Sequence, residues 1–273
     1  MQKKNTKEEM PPVIILCGGR GTRLMEVTEL LPKPMVEIGE QPIIWHIMRC
    51  FAAFGVKRFI LCLGYKKEKF IDYFVNYHIR TTDVTIKLGH DPDILYHGDT
   101  EAEDWQVTLA GTGLDSMTGC RVFRAARYLQ ETDREFFLTY GDGLADINIA
   151  DLLKFHRKHG KLLTCSAVHP ASRFGAMNIV NGLVRGFEEK PAKPEGYING
   201  GYMVVNREFI SRYLLDDPAL SFEKEPMLSA VRDSQMVPFC HEGFWQCMDT
   251  PREYQLLNEL WKRGDAPWTA NWR

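Results

Sequence analysis

The chain has 273 residues, 44% hydrophobic and 26% charged, with a formal net charge of -2. That length holds one large α/β domain, or one domain with a small accessory lobe, and the composition excludes a mainly disordered chain. The near-neutral balance weighs against a general nucleic-acid binder, so any bound phosphate must be met by cations placed locally.

Residues 1–10 are polar and mixed in charge, and read as a flexible extension ahead of a single domain over 11–273. Pro11-Pro12 punctuates the start of Val13-Ile14-Ile15-Leu16-Cys17, a β-branched run with the pattern of a buried strand. The run is too short for a signal-peptide core or a membrane span, so a cytoplasmic protein is expected. Pro42 stands at the first-turn position of a helix whose Ile43, Ile44, Ile47, Met48 and Phe51 share one face. Gly55 ends that helix. Residues 58–63 form a second apolar strand, 67–79 a second amphipathic helix and 83–88 a third strand. This alternation argues for a mostly parallel sheet covered by helices.

The middle of the chain is looser. Residues 90–103 are polar and turn-rich, a surface excursion or a partner contact. Ser116 and Thr118 are candidate caps for a helix through Leu129, and 135–140 is an apolar strand ending in Gly141-Asp142-Gly143. A helix over 149–159 stops at Gly160, strands follow over 162–168 and 198–205, and Pro251 opens a helix through Arg263. His156 and His159 share a face near a helix C-terminus, where a positive charge is favoured. The seven cysteines are odd in number, scattered and without a C-x-x-C pair, which reads as reduced, buried thiols. The aromatic residues read as core or subunit-contact groups rather than base-stacking platforms.

The most informative stretch is Leu16-Cys17-Gly18-Gly19-Arg20-Gly21-Thr22-Arg23-Leu24. Glycines directly after a strand let the backbone approach an anion closely, and successive N–H groups in such a turn form a concave anion site. Arg23 adds a planar fork suited to phosphate oxygens. The spacing matches neither G-x-x-x-x-G-K-[ST] nor G-x-G-x-x-G. Glycines alone would serve a ligand-free strand-to-helix turn equally well, but Pro32-Lys33-Pro34 nearby weighs against that. There, two prolines clamp a lysine in an extended segment. Asp142, at the end of an apolar strand, lies where ligands gather in open α/β sheets, although Gly-Asp-Gly is also ordinary turn chemistry. Asp249, before Thr250-Pro251, could equally start a helix.

Gly18-Gly19-x-Gly21-Thr22-Arg23-Leu24 followed by Pro32-Lys33-Pro34 resembles the nucleotide loop of the sugar-1-phosphate nucleotidyltransferases. Further likeness runs through 34–39, 42–48, Asp83-Val84-Thr85, 115–119, Tyr140-Gly141-Asp142-Gly143, Phe244-Trp245-Gln246, Met248-Asp249-Thr250 and the tail from Trp261 to Trp268. It is greatest with the members that join CTP to α-D-glucose 1-phosphate. UTP, dTTP or another sugar 1-phosphate remains the nearest alternative.

The resemblance implies a Rossmann-like, mostly parallel mixed sheet flanked by helices, of the nucleotide-diphospho-sugar transferase type. It further implies a smaller sugar-binding and oligomerisation portion, with a nucleotide half over about 11–145 and a sugar-phosphate half over about 146–273. It assigns Lys33 and Arg23 to catalysis, and a magnesium ion to Asp142 and Asp249. Leu16, Cys17, Gly18, Gly19, Arg20, Gly21, Thr22 and Arg23 would bind the nucleotide, with Ser116, Arg121 and Gly141. Lys33, Glu189, Lys190 and Asn199 would hold the sugar phosphate, with Arg173-Phe174-Gly175-Ala176 shaping its pocket. A homo-oligomer is implied, with no nucleic-acid or membrane partner.

Three positions depart from the family pattern: Cys17 in place of alanine, Arg20 in place of leucine, and Gly111 in place of aspartate. A metal-dependent glycosyltransferase would more typically show Asp-x-Asp, which Gly141-Asp142-Gly143 lacks. A non-catalytic pyrophosphorylase subunit would be expected to lack Arg23, Lys33, Asp142 or Asp249, and all four are present.

Overall fold

A computed structural model describes residues 9–19, 30–90, 92–97, 103–170, 176–180, 183–188 and 196–272. Seven strands form the central sheet: β1 (Val13–Leu16), β2 (Arg58–Leu63), β3 (Gln106–Gly111), β4 (Glu135–Tyr140), β5 (Leu163–Val168), β6 (Ile198–Asn206) and β7 (Met236–His241). Their order is β7-β5-β6-β4-β1-β2-β3. All neighbours run parallel except β6, which is antiparallel to both β4 and β5. The expected mostly parallel mixed sheet flanked by helices is the fold found.

The strands are apolar runs because both faces of the sheet are covered. Side chains alternate between two cores, as the two-residue period of a strand requires. Val13, Ile15, Phe59, Leu61, Phe137 and Val204 enter one core, and Ile14, Leu16, Ile60, Cys62, Phe136 and Met203 the other. Helix α1 (Ile43–Ala52) lays Ile43, Ile44, Ile47, Met48 and Phe51 into the first core. Helix α3 (Thr118–Ala125), numbered after α2 (Lys67–Val75), gives Cys120, Val122 and Ala125 as buried residues, the last two within the second core.

The chain runs outward from β1 to β2 and β3, then returns to place β4 on the other side of β1. That reversal makes a crevice at the carboxyl ends of β1 and β4, the usual ligand position in an open α/β sheet.

Several elements differ from the sequence reading. The helix over 67–79 breaks at Asn76 into α2 and a short helix Tyr77–Thr81. The strand near 83–88 is outside the central sheet. Asp83–Lys87 pairs antiparallel with Asp93–His97, inside the stretch read as an irregular excursion. The sheet's third strand is instead β3, from a segment with no clear period. Lys33 does not sit in an extended segment, since Lys33–Met35 is one 3-10 turn. Pro42 is the residue before α1 rather than part of its first turn. Neither Ser116 nor Thr118 caps α3, which begins after Met117 without a side-chain cap. The helix ends at Ala125, and a 3-10 turn Ala126–Tyr128 follows. The helices Glu208–Tyr213 and Glu225–Arg232, and the edge strand β7, had no sequence counterpart.

Five of the seven cysteines are buried, while Cys240 is exposed and Cys247 half-buried. His156 overturns the expected positive charge. It is buried in the helix Ile149–His159, its pKa is pushed down to about 4 by burial, and its Nδ1 lies 2.8 Å from Thr164 Oγ1. Burial outweighs the helix terminus here.

Candidate active site

A cavity of about 400 Å³ opens at the crevice between β1 and β4. The end of β1 supplies Leu16, Cys17, Gly18 and Gly19, the Lys33–Met35 turn supplies Lys33, and the start of α3 supplies Ser116, Met117, Thr118 and Arg121. Tyr140, Gly141 and Asp142 come from the end of β4, and Asp249 completes the wall.

The backbone is packed tightly where the two strands end. Gly141 donates its N–H to Leu16 O at 3.0 Å, and a Cβ on Gly141 would stand 2.9 Å from Pro34 Cγ. Only glycine permits that approach. Cys17, 1% exposed, donates its N–H to Cys62 O at 3.1 Å. Burial raises its thiol pKa, so it behaves as a small neutral hydrophobe, and the departure from alanine adds no charge.

Lys33 is 8% exposed. Its Nζ donates to Asp142 Oδ2 at 2.7 Å and to Asp249 Oδ1. Burial alone would lower its pKa, but Asp142 and Asp249 outweigh that and raise it, so the amine stays charged. Asp249 reaches this point through a strand pair remote in sequence. Trp245–Cys247 pairs antiparallel with Gly143–Ala145, placing Cys247 opposite Gly143, and Met248 N–H donates to Asp142 O at 2.8 Å. The helix α6 (Pro251–Arg263), which follows α4 (Ile149–His159) and α5 (Glu225–Arg232), opens with a capping box between Thr250 and Glu253. Glu253 also accepts the Asp249 N–H at 2.7 Å. Asp249 therefore precedes the cap instead of forming it.

Two carboxylates converging on one ammonium present hard oxygen donors to a common point, which suits a divalent cation such as magnesium. Among the described residues no group of three His, Cys, Asp or Glu side chains could hold a metal. Asp142 and Asp249 are the two carboxylates that line the cavity beside Lys33.

Arg121, expected on the nucleotide side, is 4% exposed and bound to the protein itself. Its guanidinium reaches Thr112 Oγ1 at 2.9 Å and the carbonyls of Gly113, Gly18, Leu114 and Leu63 at 2.8, 3.1, 3.1 and 3.3 Å. It ties the glycine loop to the ends of β2 and β3, and a side chain on Gly18 would collide with it. Ser116 lines the cavity, with Oγ accepting from Arg124 at 3.0 Å. Asn199 is not part of this cavity's wall; it is exposed on β6, where its Nδ2 donates to Tyr140 Oη at 3.4 Å. Gly111 ends β3 with open space where a Cβ would stand, so nothing in the structure explains why aspartate is absent there. Arg20, Gly21, Thr22, Arg23, Arg173, Phe174, Gly175, Glu189 and Lys190 lie outside the described residues.

Sequence reasoning gave no role to Tyr140, although it adjoins Gly141-Asp142. Burial and the neighbouring Glu223 carboxylate push its phenol pKa up, so it remains a hydroxyl.

A Rossmann-like sheet with glycine amides, a buried lysine and paired carboxylates at its switch point defines a nucleotide-handling α/β protein. The model of the nucleotidyl transferase family matches residues 12–254, and the chain belongs to that family. It is 45% identical over 255 residues to the glucose-1-phosphate cytidylyltransferase of Salmonella typhi, covering 93% of this chain and 97% of that protein. A probable glucose-1-phosphate cytidylyltransferase of Bacillus subtilis is 37% identical, covering 93% and 98%. Among solved structures, HddC from Yersinia pseudotuberculosis shares the fold, with a TM-score of 0.62 at 24% identity over 92% of this chain and 100% of that one.

Proposed function

We propose that the chain transfers the cytidylyl group of CTP to α-D-glucose 1-phosphate, giving CDP-glucose and pyrophosphate. The observation that carries this reading is the meeting of Lys33, Asp142 and Asp249 beside the β1 amides, in a chain 45% identical to a cytidylyltransferase over nearly its whole length.

In this reaction an oxygen of the sugar phosphate attacks the α-phosphorus in line, and pyrophosphate leaves from the opposite side. Little covalent chemistry falls to the protein, so positioning and charge neutralisation dominate. The amides of Gly18 to Gly21 cradle the triphosphate, with Leu16, Cys17, Arg20 and Thr22 completing the loop. Arg23 holds the departing pyrophosphate. Ser116 and Gly141 flank the nucleotide, and Arg121 fixes the loop from beneath. Lys33 lies between the two anions and stabilises charge on both the α-phosphate and the sugar phosphate. Lys190 neutralises the sugar phosphate, while Glu189 and Asn199 hold sugar hydroxyls. Asp142 and Asp249 would hold magnesium, which when bound would neutralise triphosphate charge. Lys33 bridges both carboxylates, so the two acids that hold its amine would be the same two that hold the metal.

Pyrophosphate release, measured across CTP, UTP, dTTP and GTP with several sugar 1-phosphates, tests the reading. CTP with glucose 1-phosphate is expected to give the highest kcat/KM. Preference for another pair keeps the chemistry and moves the substrate, and no release with any pair removes the function.

The enzyme is further proposed to be a cytoplasmic homo-oligomer. Among the described residues, no helix is long and apolar enough to cross a membrane. The hairpin of Asp83–Lys87 and Asp93–His97 exposes Ile86, Leu95 and Tyr96 by 50%, 59% and 46%. A two-stranded ribbon that wet is marginal alone, which supports its covering by another subunit. Sedimentation of the intact chain as a monomer at micromolar concentration would exclude this.

A further inference from the structure

Glu223, on the loop before α5, collects three hydroxyl donors. Thr118 Oγ1 donates at 2.6 Å, Tyr140 Oη at 2.7 Å and Ser221 Oγ at 2.8 Å. The loop is joined to α3 a second time, because Thr118 Oγ1 also accepts the Phe222 N–H at 2.8 Å. An ionised carboxylate can only accept, so the protons of all three hydroxyls point toward Glu223.

This fixes what Tyr140 offers to the cavity it lines. Its proton is committed, and its oxygen keeps only acceptor capacity. On its other side Asn199 Nδ2 donates to Tyr140 Oη at 3.4 Å, a long bond that leaves a lone pair for a stronger donor. The Asn199 amide cannot simply turn over, because its Oδ1 accepts the Gly201 N–H at 2.8 Å. The hydrogen bonds thus run in one direction, from Asn199 through Tyr140 to Glu223.

The tyrosine ring packs against the reversed strand β6. Gly201, at φ +80°, has no side chain to spare for that contact, since a Cβ there would stand 2.5 Å from Tyr140 Cδ2. Tyr140 ends β4 between two neighbouring strands: its Cα is registered with Leu16 of β1, its ring lies beside Gly201 of β6, and its hydroxyl meets Asn199, the residue assigned above to the sugar.

We propose that Tyr140 reads one hydroxyl of the sugar 1-phosphate, with Glu223 as the positioning residue that keeps the phenol an acceptor. This rests on the nucleotidyl-transfer reading above and adds a specificity determinant to it. A site that hydrogen-bonds a substrate hydroxyl binds the analogue lacking it less well, by about tenfold for one ordinary hydrogen bond.

The test is steady-state pyrophosphate release by the intact chain with CTP and either glucose 1-phosphate or each of its monodeoxy analogues. Tyr140→Phe is expected to raise KM for glucose 1-phosphate roughly tenfold, the loss of one ordinary hydrogen bond, and to leave KM for CTP unchanged. One monodeoxy analogue should lose the same factor with the wild-type enzyme and nothing further with Tyr140→Phe, because both deletions remove the same bond. Glu223→Gln, whose amide can donate to the phenol and turn its proton around, should shift the same KM, again without moving that for CTP. A rise in KM for CTP instead, or no analogue coupled to Tyr140, overturns the proposal. If Glu223→Gln fails to fold, Tyr140→Phe still decides. A wild-type chain silent with every sugar phosphate overturns the function together with the pair, whereas an active one with unshifted variants overturns the pair alone.

Discussion

Two buried nitrogen bases, Lys33 at the cavity and His46 beneath the C-terminal tryptophans, are held in opposite ways. His46 is 0% exposed, with Nε2 bonded to Ile38 O at 2.9 Å and Nδ1 accepting from Trp268 Nε1 at 3.3 Å. The rings of Trp261, Trp268 and Trp272 surround it, and burial pushes its pKa down to about 4. Both ring nitrogens are satisfied by the protein, and the group is neutral. Lys33 is charged and held by two carboxylates whose side chains remain 31% and 25% exposed at the cavity. A closed neutral centre fixes the position of the tail, while an open charged one can exchange its partners for a ligand. Substitutions at the first should therefore register in stability, and at the second in turnover.

The largest expected effect is at Lys33. Lys33→Ala should lower kcat by about 10²–10³-fold, as removal of one preorganised charge-stabilising donor does, while circular dichroism and cooperative unfolding persist. Turnover within threefold of wild type would take the amine out of the reaction. The mirror-image variant is His46→Ala. Losing a packed ring and two hydrogen bonds should cost roughly 3 kcal/mol of unfolding free energy, with kcat per folded molecule close to wild type. A large fall in kcat without loss of stability would erase the contrast between the two centres.

Acid separates them next. His46 and His156 both titrate at about 4 in the folded protein, and burial is the leading cause for each. An unfolded imidazole binds its proton near pH 6.5. Between about pH 6.5 and 4 the unfolded chain therefore binds more protons, and stability falls as pH falls, by up to about 3 kcal/mol per imidazole. Lys33, whose pKa is raised, stays protonated throughout and contributes nothing to that slope. Denaturant midpoints measured across this window should drop steeply, and His156→Gln should flatten the curve. A midpoint independent of pH over the same range would refute the account.

Much of the open centre was legible in the sequence because its parts are local. The β-branched run of β1 leads straight into glycines, and Asp142 ends an apolar strand. Asp249 was named only by family likeness. It lies 216 residues from Lys33, and its place follows from the pairing of Cys247 with Gly143, which no short-range pattern signals. The misread third strand has a similar cause. Asp83–Lys87 alternates as a half-buried strand should, yet it has only Asp93–His97 to pair with, whereas β3 is edged by polar residues and ends in glycine. Pattern reveals what a segment is able to form, and neighbours decide where it goes. Glu223 was invisible for the same reason, since two of its three donors, Thr118 and Tyr140, lie 105 and 83 residues away on other elements.

The smallest expected effect lies where closed and open centres meet, at the start of α6. Glu253, 9% exposed, accepts the N–H groups of both Asp249 and Thr250, at 2.7 and 2.9 Å, while Thr250 caps Glu253 in return. Thr250→Ala removes one half of that box and should cost about 1 kcal/mol of stability. Since Glu253 still holds the Asp249 N–H in that variant, the magnesium concentration for half-maximal rate should stay within twofold. Glu253→Ala removes the other half and frees the backbone beside Asp249. It should lose a similar amount of stability but also raise the magnesium requirement several-fold, because outer groups that orient a ligand tune its metal affinity. Titrating magnesium against both variants reads the difference directly. Equal magnesium dependence in the two would mean that the box holds the helix alone, and that Asp249 is aimed by the strand pair before it.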